Sequence, residues 1–353
     1  MATSLATPVP FDAYLRLADP LWSRRGADLV PARVTEVIAE TDRASTIVLK
    51  PGRGLSRHVP GQWIDVSVEI DGVRHRRCYS LTSVPGAAGG LISITTQRIP
   101  DGIVSGHLTR AMRPGTIVYL GQPSGEFVLP AERPPTLFIT GGSGITPVMG
   151  MLRSLAERGP LVDIAMLHHA PDADDSIFAS ELAALADAHD GFRIDTTYTG
   201  PGAPPPEAEL TVVRLDRECP DWRERHTWAC GPGPLLDAAT EIWQHEGIAE
   251  RLHLESFRPP TLPLDPDAAG GCVRFVTSGV EVEAEPNEPI LLAAERAGLI
   301  PKSGCRQGIC RTCVRPMLSG HVTDLRDGRI ISEPGTYVQI CINTATGDVD
   351  LDL

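Results

Sequence analysis

Short apolar runs separated by glycine and proline turns fill the chain from residue 30 to residue 131. Typical runs are 62–70 and 91–98, each bounded by turn residues. Many short strands at this spacing indicate a β-barrel or sandwich, and we predict an antiparallel β-barrel domain over 30–131. Residues 1–29 contain an amphipathic helical stretch. We interpret it as an N-terminal arm that packs on the barrel or contacts a partner or membrane surface.

The hydrophobic pattern changes at residue 132 and keeps its new form to residue 258. An apolar strand at 136–140 precedes an amphipathic helix at 147–159, and four more strands and two more helices follow. Strands that alternate with helices are typical of a doubly wound, mostly parallel sheet. We therefore predict a second domain, of α/β type, over 132–258.

A third unit follows a polar connection rich in proline, glycine and aspartate. The composition of 259–270 predicts a linker. Beyond it, 273–286 has the pattern of a hairpin with Ser278 and Gly279 at the turn, and 289–298 that of a short helix closed by Gly298. We predict a third domain over 271–353.

Composition and charge narrow the classes of function. The chain has 353 residues and a net charge of −13, which argues against a nucleic-acid partner because phosphate binding needs a basic face. No apolar run is long enough to span a membrane and no signal peptide is evident, so we expect a cytoplasmic protein. Residues 132–258 carry 21 Asp and Glu against 10 Lys and Arg, whereas 30–131 carry 8 against 11. The barrel segment is therefore the one suited to an anionic ligand.

Four of the eight cysteines form a specific pattern. Cys305, Cys310 and Cys313 follow the spacing C-x4-C-x2-C, and Cys341 follows after 27 residues. This is the plant-type [2Fe–2S] spacing, in which three thiolates from one loop and one from a distant strand surround two irons. A zinc site is the alternative, but zinc prefers paired C-x2-C units or histidines, which this order does not supply.

Two further motifs fit nucleotide cofactors. Arg77, Tyr79 and Ser80 end a predicted strand and offer a guanidinium fork, a ring face and a hydroxyl. The glycine-rich segment 141–147 stands between a strand and a helix, where backbone N–H groups and the helix N-terminus favour a pyrophosphate. It is not the G-x-G-x-x-G fingerprint, so an ordinary Rossmann dehydrogenase is disfavoured.

These motifs, with Cys-Gly-Pro at 230–232 and Glu-x-Phe at 255–257, resemble the ferredoxin–NADP reductase superfamily over about 30–258. The C-terminal segment resembles plant-type ferredoxins over about 271–353, which implies a β-grasp fold. The whole chain looks like the single-chain reductases that feed electrons to oxygenases and desaturases. The N-terminal arm is similar to that of reductases serving membrane fatty-acyl desaturases and alkane hydroxylases.

The resemblance implies roles for individual residues. Arg77 would hold the flavin phosphate, Tyr79 would stack on the isoalloxazine and Ser80 would hydrogen-bond near flavin N5. The segment 101–105 would hold a pyrophosphate, which favours FAD over FMN. Ser80, Cys230 and Glu255 would lie at the reacting rings. The residues implied to bind a cofactor are Arg77, Tyr79, Ser80, Gly102, Val104, Ser105, Gly141, Gly142, Gly144, Thr146, Cys230, Gly231, Pro232 and Phe257.

The resemblance also implies a route from NADH or NADPH through FAD to the cluster and on to a separate oxygenase or desaturase, either free or membrane-bound. A Rieske-type ring-hydroxylating dioxygenase would share every motif, and a redox sensor would use the same cofactors without a turnover partner. The choice of nicotinamide also stays open, because carboxylates that would repel a 2′-phosphate and residues that could receive it follow the same strand. They are Asp172, Asp174 and Asp175, and His168, His169 and Ser176, respectively.

Overall fold

The computed structural model describes residues 29–70, 72–100, 102–200, 210–257, 270–303, 306, 308 and 311–353. The predicted N-terminal arm, apart from residue 29, and the predicted linker, apart from residue 270, lie outside the described residues. No helix in the part of the chain that the structure describes is both long and apolar enough to cross a membrane.

The first unit is a six-stranded antiparallel sheet that closes on itself. Its spatial order is β4-β3-β6-β1-β2-β5. Leu81, directly after β4, pairs with Ile94 in β5 and so joins the two edges of the sheet. The predicted antiparallel barrel is confirmed. The strands are β1 Val30–Thr41, β2 Ala44–Pro51, β3 Trp63–Ile70, β4 Val73–Ser80, β5 Ile92–Gln97 and β6 Ile117–Leu120.

One helix, α1 (Ile103–Arg110), packs on this barrel. Its Val104 and Leu108 side chains, four residues apart on one helix face, join the barrel core. No side chain of the described residues caps the N-terminal end of α1, and its first intrahelical bond runs from Gly106 N to the Gly102 carbonyl at 2.8 Å. The N–H groups that precede Gly106 in α1 have no intrahelical partner and can serve a ligand.

The second unit is a parallel five-stranded sheet with helices between its strands. The spatial order of its strands is β11-β10-β7-β8-β9. The chain enters the sheet at the central strand β7, continues through β8 to the edge strand β9, and then returns to β10 on the other side of β7. The predicted doubly wound sheet is confirmed, and the reversal of strand order lies between β7 and β10, where such folds bind ligands. The elements are β7 Thr136–Gly141, α2 Ile145–Arg158, β8 Ile164–Ala170, α3 Ala179–Ala188, β9 Phe192–Tyr198, α4 Val212–Glu218, β10 His226–Cys230, α5 Gly233–His245 and β11 Leu252–Glu255.

The third unit is a mixed sheet with one helix, as in a β-grasp domain. β12 pairs antiparallel with β13 and parallel with β17, which in turn pairs antiparallel with β14. The helix α6 buries Ile290, Leu291, Ala293 and Ala294 against this sheet. The elements are β12 Gly271–Phe275, β13 Val280–Ala284, α6 Ile290–Arg296, β14 Val314–Asp324, β15 Ile330–Ile331, β16 Tyr337–Gln339 and β17 Asn343–Leu351.

The barrel and the α/β unit contact each other at two places. At the first, α2 packs against the barrel, so that a Cβ added to Gly150 would overlap the Leu81 carbonyl oxygen. Beside it, Arg153 Nη1 donates to the Thr82 carbonyl at 2.8 Å. At the second, Arg43, in the turn between β1 and β2, forms an ion pair with Asp175 in the loop after β8.

Candidate functional site

The flavin-side residues lie together at the end of β4. Arg77, Tyr79 and Ser80 pair across the ladder with Val66, Ile64 and Trp63 of β3. Burial raises the pKa of Tyr79 to about 12, so its hydroxyl stays neutral at physiological pH. Burial and, secondarily, the Arg306 guanidinium lower the pKa of Arg77. An anion beside Arg77 would relieve that repulsion.

The buried Ser80 hydroxyl lacks a hydrogen-bond partner among the described residues. The Ser80 side chain is 2% exposed. A buried hydroxyl without a partner costs free energy unless a ligand or water satisfies it. The position therefore fits a flavin that offers a hydrogen-bonding group to Ser80.

The predicted phosphate segment forms the start of α1. A Cβ on Gly102 would overlap Ser105 Oγ and Ile99 Cγ1, so any other residue here would force these side chains to move. Ser105 Oγ accepts from Ile99 N and donates to the Gly102 carbonyl, both at 3.3 Å, and the Val104 side chain is buried. Asp101 lies outside the described residues. Gly102, Ile103 and Gly106 at the start of α1 line a cavity of about 760 Å³ together with Arg43, Arg98 and Arg110, whose guanidinium groups favour a phosphate.

Two glycine-bearing turns meet at the reversal point of the parallel sheet. A Cβ on Gly144 would overlap the Cys230 carbonyl oxygen, and one on Gly141 would come within 2.6 Å of Pro232 Cδ. A Cβ on Gly231 would lie 3.0 Å from Gly141 N. Gly142 has a φ of 52°, in the left-handed region. The turns after β7 and β10 thus approach closely because these positions lack side chains.

Thr146 is the second residue of α2. It is buried, and its Oγ1 donates to the Ser143 carbonyl at 2.9 Å. This bond ties the glycine turn to the helix. The residues directly before α2 and the turn after β10 line the same cleft.

Cys230 and Glu255 lie side by side, because β10 and β11 pair these two residues directly. Cys230 is fully buried, and burial followed by the nearby Glu255 charge raises the pKa of its thiol. Burial raises the pKa of Glu255 to about 8, and its Oε2 has no hydrogen-bond partner among the described residues. Both groups are therefore mainly neutral at pH 7, and the carboxyl retains a donor for a ligand.

The two glycine turns line one cleft of about 640 Å³ between the barrel and the α/β unit. The predicted site residues Arg77, Tyr79, Ser80, Thr146, Cys230 and Glu255 are not among the residues that line it. The barrel contributes Gln97 and Arg98, and the α/β unit contributes the two glycine turns. Phe257 lines the same cleft and packs on the core of the α/β unit. An elongated ligand with phosphate and ring parts fits such a lining.

Two of the predicted cluster ligands are described, and they lie in neighbouring segments. Cys313 and Cys341 are buried, and Ile340 N contacts the Cys313 carbonyl at 3.4 Å. Gln339 Nε2 donates to the Gly308 carbonyl at 2.6 Å and so ties the cysteine loop to β16. Arg306, Gly308 and Arg311 have positive φ. Cys305 and Cys310 lie outside the described residues.

The two histidines near the end of β8 are buried and neutral. His168 Nδ1 lies 2.8 Å from Thr140 Oγ1, and His169 Nε2 lies 2.8 Å from Arg214 Nη1. Burial, the larger cause, and a neighbouring charge lower the pKa of both to about 4. His169 nevertheless lines the cleft.

Two aspartates of the loop after β8 have structural partners that the sequence did not reveal. Asp175 pairs with Arg43, and Asp172 Oδ1 accepts from Asp175 N at 2.8 Å. Asp174 is exposed and Ser176 is buried. Arg43 and Arg214 did not stand out in the sequence, because their partners lie far away along the chain.

Three domain families match successive parts of the chain. Residues 35–129 match the oxidoreductase FAD-binding domain, 138–241 the oxidoreductase NAD-binding domain and 275–342 the 2Fe-2S iron-sulfur cluster binding domain. The fold and site therefore define an oxidoreductase that uses FAD, a nicotinamide nucleotide and a [2Fe–2S] cluster.

Individual proteins of similar sequence or structure define the class of oxidoreductase more closely. The chain is 44% identical, over all of its length and 91% of the relative, to an NADPH oxidoreductase of Mycobacterium tuberculosis. It is 32% identical, over 83% of its length and 86% of the relative, to the glycine betaine monooxygenase reductase subunit of Pseudomonas aeruginosa. Phthalate dioxygenase reductase shares the fold, with a TM-score of 0.66, 24% identity, and coverage of 92% of this chain and 98% of that one. The chain belongs to the family of single-chain FAD and [2Fe–2S] reductases within the ferredoxin–NAD(P)H reductase superfamily.

Proposed function

We propose that this chain takes electrons from NADH or NADPH and delivers them, through FAD and the [2Fe–2S] cluster, to a separate terminal oxygenase or desaturase. The observation that carries the proposal is the shared cleft, to which the flavin barrel and the nucleotide-binding turns of the α/β unit both contribute. When bound, the cofactors supply hydride acceptance and single-electron transfer. The chain supplies binding, orientation and electrostatics.

On the flavin side, the chain's own groups bind and orient. Arg77 would hold a phosphate by charge-assisted hydrogen bonds, and the N–H groups at the start of α1 would hold the pyrophosphate of FAD. Tyr79 offers a ring face, and the buried Ser80 hydroxyl directs one hydrogen bond to the isoalloxazine. Tyr79 and Ser80 are rigid because the β3–β4 ladder fixes their backbone.

On the nicotinamide side, the chain keeps the site neutral. The Cys230 thiol and the protonated Glu255 carboxyl add little charge beside a ring that becomes positive when oxidised. The protonated Glu255 carboxyl would offer a donor to the carboxamide, and Phe257 would cover the flavin face in the absence of the nicotinamide. Thr146 and the Gly141–Gly144 turn place the dinucleotide backbone.

In the third domain, we propose Cys305, Cys310, Cys313 and Cys341 as the four cluster ligands. We also propose the domain limits given by the sequence, with 259–270 as a linker that lets the ferredoxin domain serve both the flavin and an outside acceptor. A cytoplasmic location, peripheral to a membrane where the partner is membrane-bound, follows from this assignment.

The type of acceptor is the finer part of the proposal. Names of relatives include glycine betaine monooxygenase and stachydrine N-demethylase reductase subunits, which favours an oxygenase partner. The desaturase or alkane hydroxylase alternative depends on the N-terminal arm. The ring-hydroxylating dioxygenase alternative depends on the shared domain order.

The test is anaerobic reduction of the purified protein by NADPH and NADH, with ferricyanide and cytochrome c as acceptors, followed by co-purification with candidate oxygenases. A reductase turns over cytochrome c rapidly and in a cluster-dependent manner. Slow cytochrome c reduction by a fully loaded protein would instead support a redox sensor.

A further inference from the structure

Two cavities share one short wall on the barrel. The nucleotide cleft of about 640 Å³ and the cavity of about 760 Å³ beside α1 are both lined by Arg43, Arg98, Ile99 and Pro100. Arg98 N donates to the Arg43 carbonyl at 2.7 Å, so the two arginines stand on adjacent strand ends. The wall between the cavities is therefore positively charged.

Asp175 fixes one end of the Arg43 guanidinium. The ion pair uses Arg43 Nη2, and Thr41 Oγ1 adds a contact to Asp175 Oδ1 at 3.4 Å. The Asp175 side chain is 15% exposed and that of Arg43 is 41% exposed. A guanidinium has five N–H donors, so Arg43 keeps donors for a second acidic ligand while Asp175 orients it.

The cleft has few other cations. Arg43 and Arg98, both from the barrel, are the only lysine or arginine side chains lining it in the described part of the chain. His169 is neutral and already contacts Arg214. A phosphate in this cleft would therefore meet backbone N–H groups from the glycine turns on one side and the barrel arginines on the other.

We propose that Arg43 binds a phosphate group of the nicotinamide dinucleotide, and that Asp175 is a positioning residue that orients the Arg43 guanidinium toward it. This inference rests on the proposed use of NADH or NADPH. The phosphate has two sources, the 2′-phosphate of NADPH and the pyrophosphate that NADPH and NADH share. The aspartate then serves phosphate binding instead of opposing it.

The experiment measures steady-state ferricyanide reduction by the flavin-loaded protein with NADPH and with NADH. Because Arg43 is partly exposed, we expect Arg43→Gln to raise KM by about fivefold to tenfold, with kcat within about twofold of wild type. Arg43→Lys retains the charge and should raise KM less. The matched control is Arg53→Gln, an exposed arginine that lines neither cavity.

The two sources give different results. An increase in KM for NADPH alone, with weaker inhibition by 2′-AMP, identifies the 2′-phosphate. Equal increases for both donors, with weaker inhibition by ADP, identify the pyrophosphate. Asp175→Ala should raise KM by about threefold, and Asp175→Asn, which keeps an acceptor for Arg43, should restore it to the wild-type range.

Three outcomes would overturn the inference. One is an unchanged KM for both donors in Arg43→Gln. Another is an Asp175→Asn variant as impaired as Arg43→Gln, because a charged interdomain latch then explains the pair. The third is loss of flavin from Arg43→Gln, which would assign Arg43 to the flavin instead. Wild-type protein that oxidised neither donor would refute the proposed function itself, a result separate from these three.

Discussion

Glu255 gives the α/β domain a specific dependence of stability on pH. Burial raises its pKa to about 8 from an ordinary value of 4.5. The folded state therefore binds a proton that the unfolded state releases between these values. The free energy of unfolding must then fall as pH rises from about 5 to 8. The limiting slope is about 1.36 kcal/mol per pH unit, and partial titration at both ends of this range reduces the total fall to at most about 3.5 kcal/mol. Because Glu255 is only partly buried as a residue although its Oε2 is enclosed, we expect roughly 2 kcal/mol.

Glu255→Gln imitates the protonated carboxyl and should remove this slope. The assay is urea unfolding of flavin-free protein at pH 5, 6.5 and 8, followed by tryptophan fluorescence, which reports on Trp222, Trp228 and Trp243 buried in the same unit. At pH 8 the variant should be more stable than wild type by roughly 2 kcal/mol, whereas at pH 5 the two should agree within about 0.5 kcal/mol.

The control is Glu250→Gln, which changes an exposed carboxylate near the start of the same strand. It should leave the wild-type slope in place. If wild type and Glu255→Gln kept the same pH slope between 5 and 8, Glu255 would be ionised in the folded protein. The reasoning on its neutral role beside the nicotinamide would then be refuted.

The remaining predictions concern the cofactors. Arg77→Ala removes a charge-assisted phosphate contact worth roughly 1.5–3 kcal/mol and should weaken flavin affinity by about one to two orders of magnitude, measured by flavin titration; unchanged retention in a folded variant would count against the assignment. Cys341→Ser should abolish bound iron and cytochrome c reduction but leave flavin and ferricyanide reduction largely intact, and concurrent loss of flavin would contradict independent domains. Turnover is expected with both NADH and NADPH; a ratio of kcat/KM above about 100-fold for NADPH, roughly 2.7 kcal/mol, would show that the loop aspartates do not repel the 2′-phosphate.

The fold was predictable because each unit has its own hydrophobic period. Period-two strands with turns, alternating strands and helices, and the hairpin before the cysteines predicted the barrel, the doubly wound sheet and the β-grasp domain. At α1 the sequence indicates only a flavin segment and no helix, because Gly106 and Thr109 weaken the helical propensity. The helix α4 also escaped prediction, although Thr211 Oγ1 caps it by accepting from Arg214 N at 3.2 Å.

Site residues that belong to compact motifs were predictable, and their contacts were not. Ser80 and the glycine turns lie where strands end, as the motifs indicate. The pairing of Cys230 with Glu255 depends on the β10–β11 register, which one strand alone does not encode. Arg43 and Asp175 are 132 residues apart, so only tertiary structure brings them together.

Gly150 has a consequence for anyone who recombines such reductases. The helix α2 lies so close to the Leu81 carbonyl that any side chain at position 150 would push the two halves of the molecule apart. A chimera that grafts a foreign nucleotide-binding half onto this barrel would therefore have to carry a glycine at the matching helix position. Without this glycine, both halves of the chimera could fold, but the flavin and nicotinamide rings would lie too far apart to react.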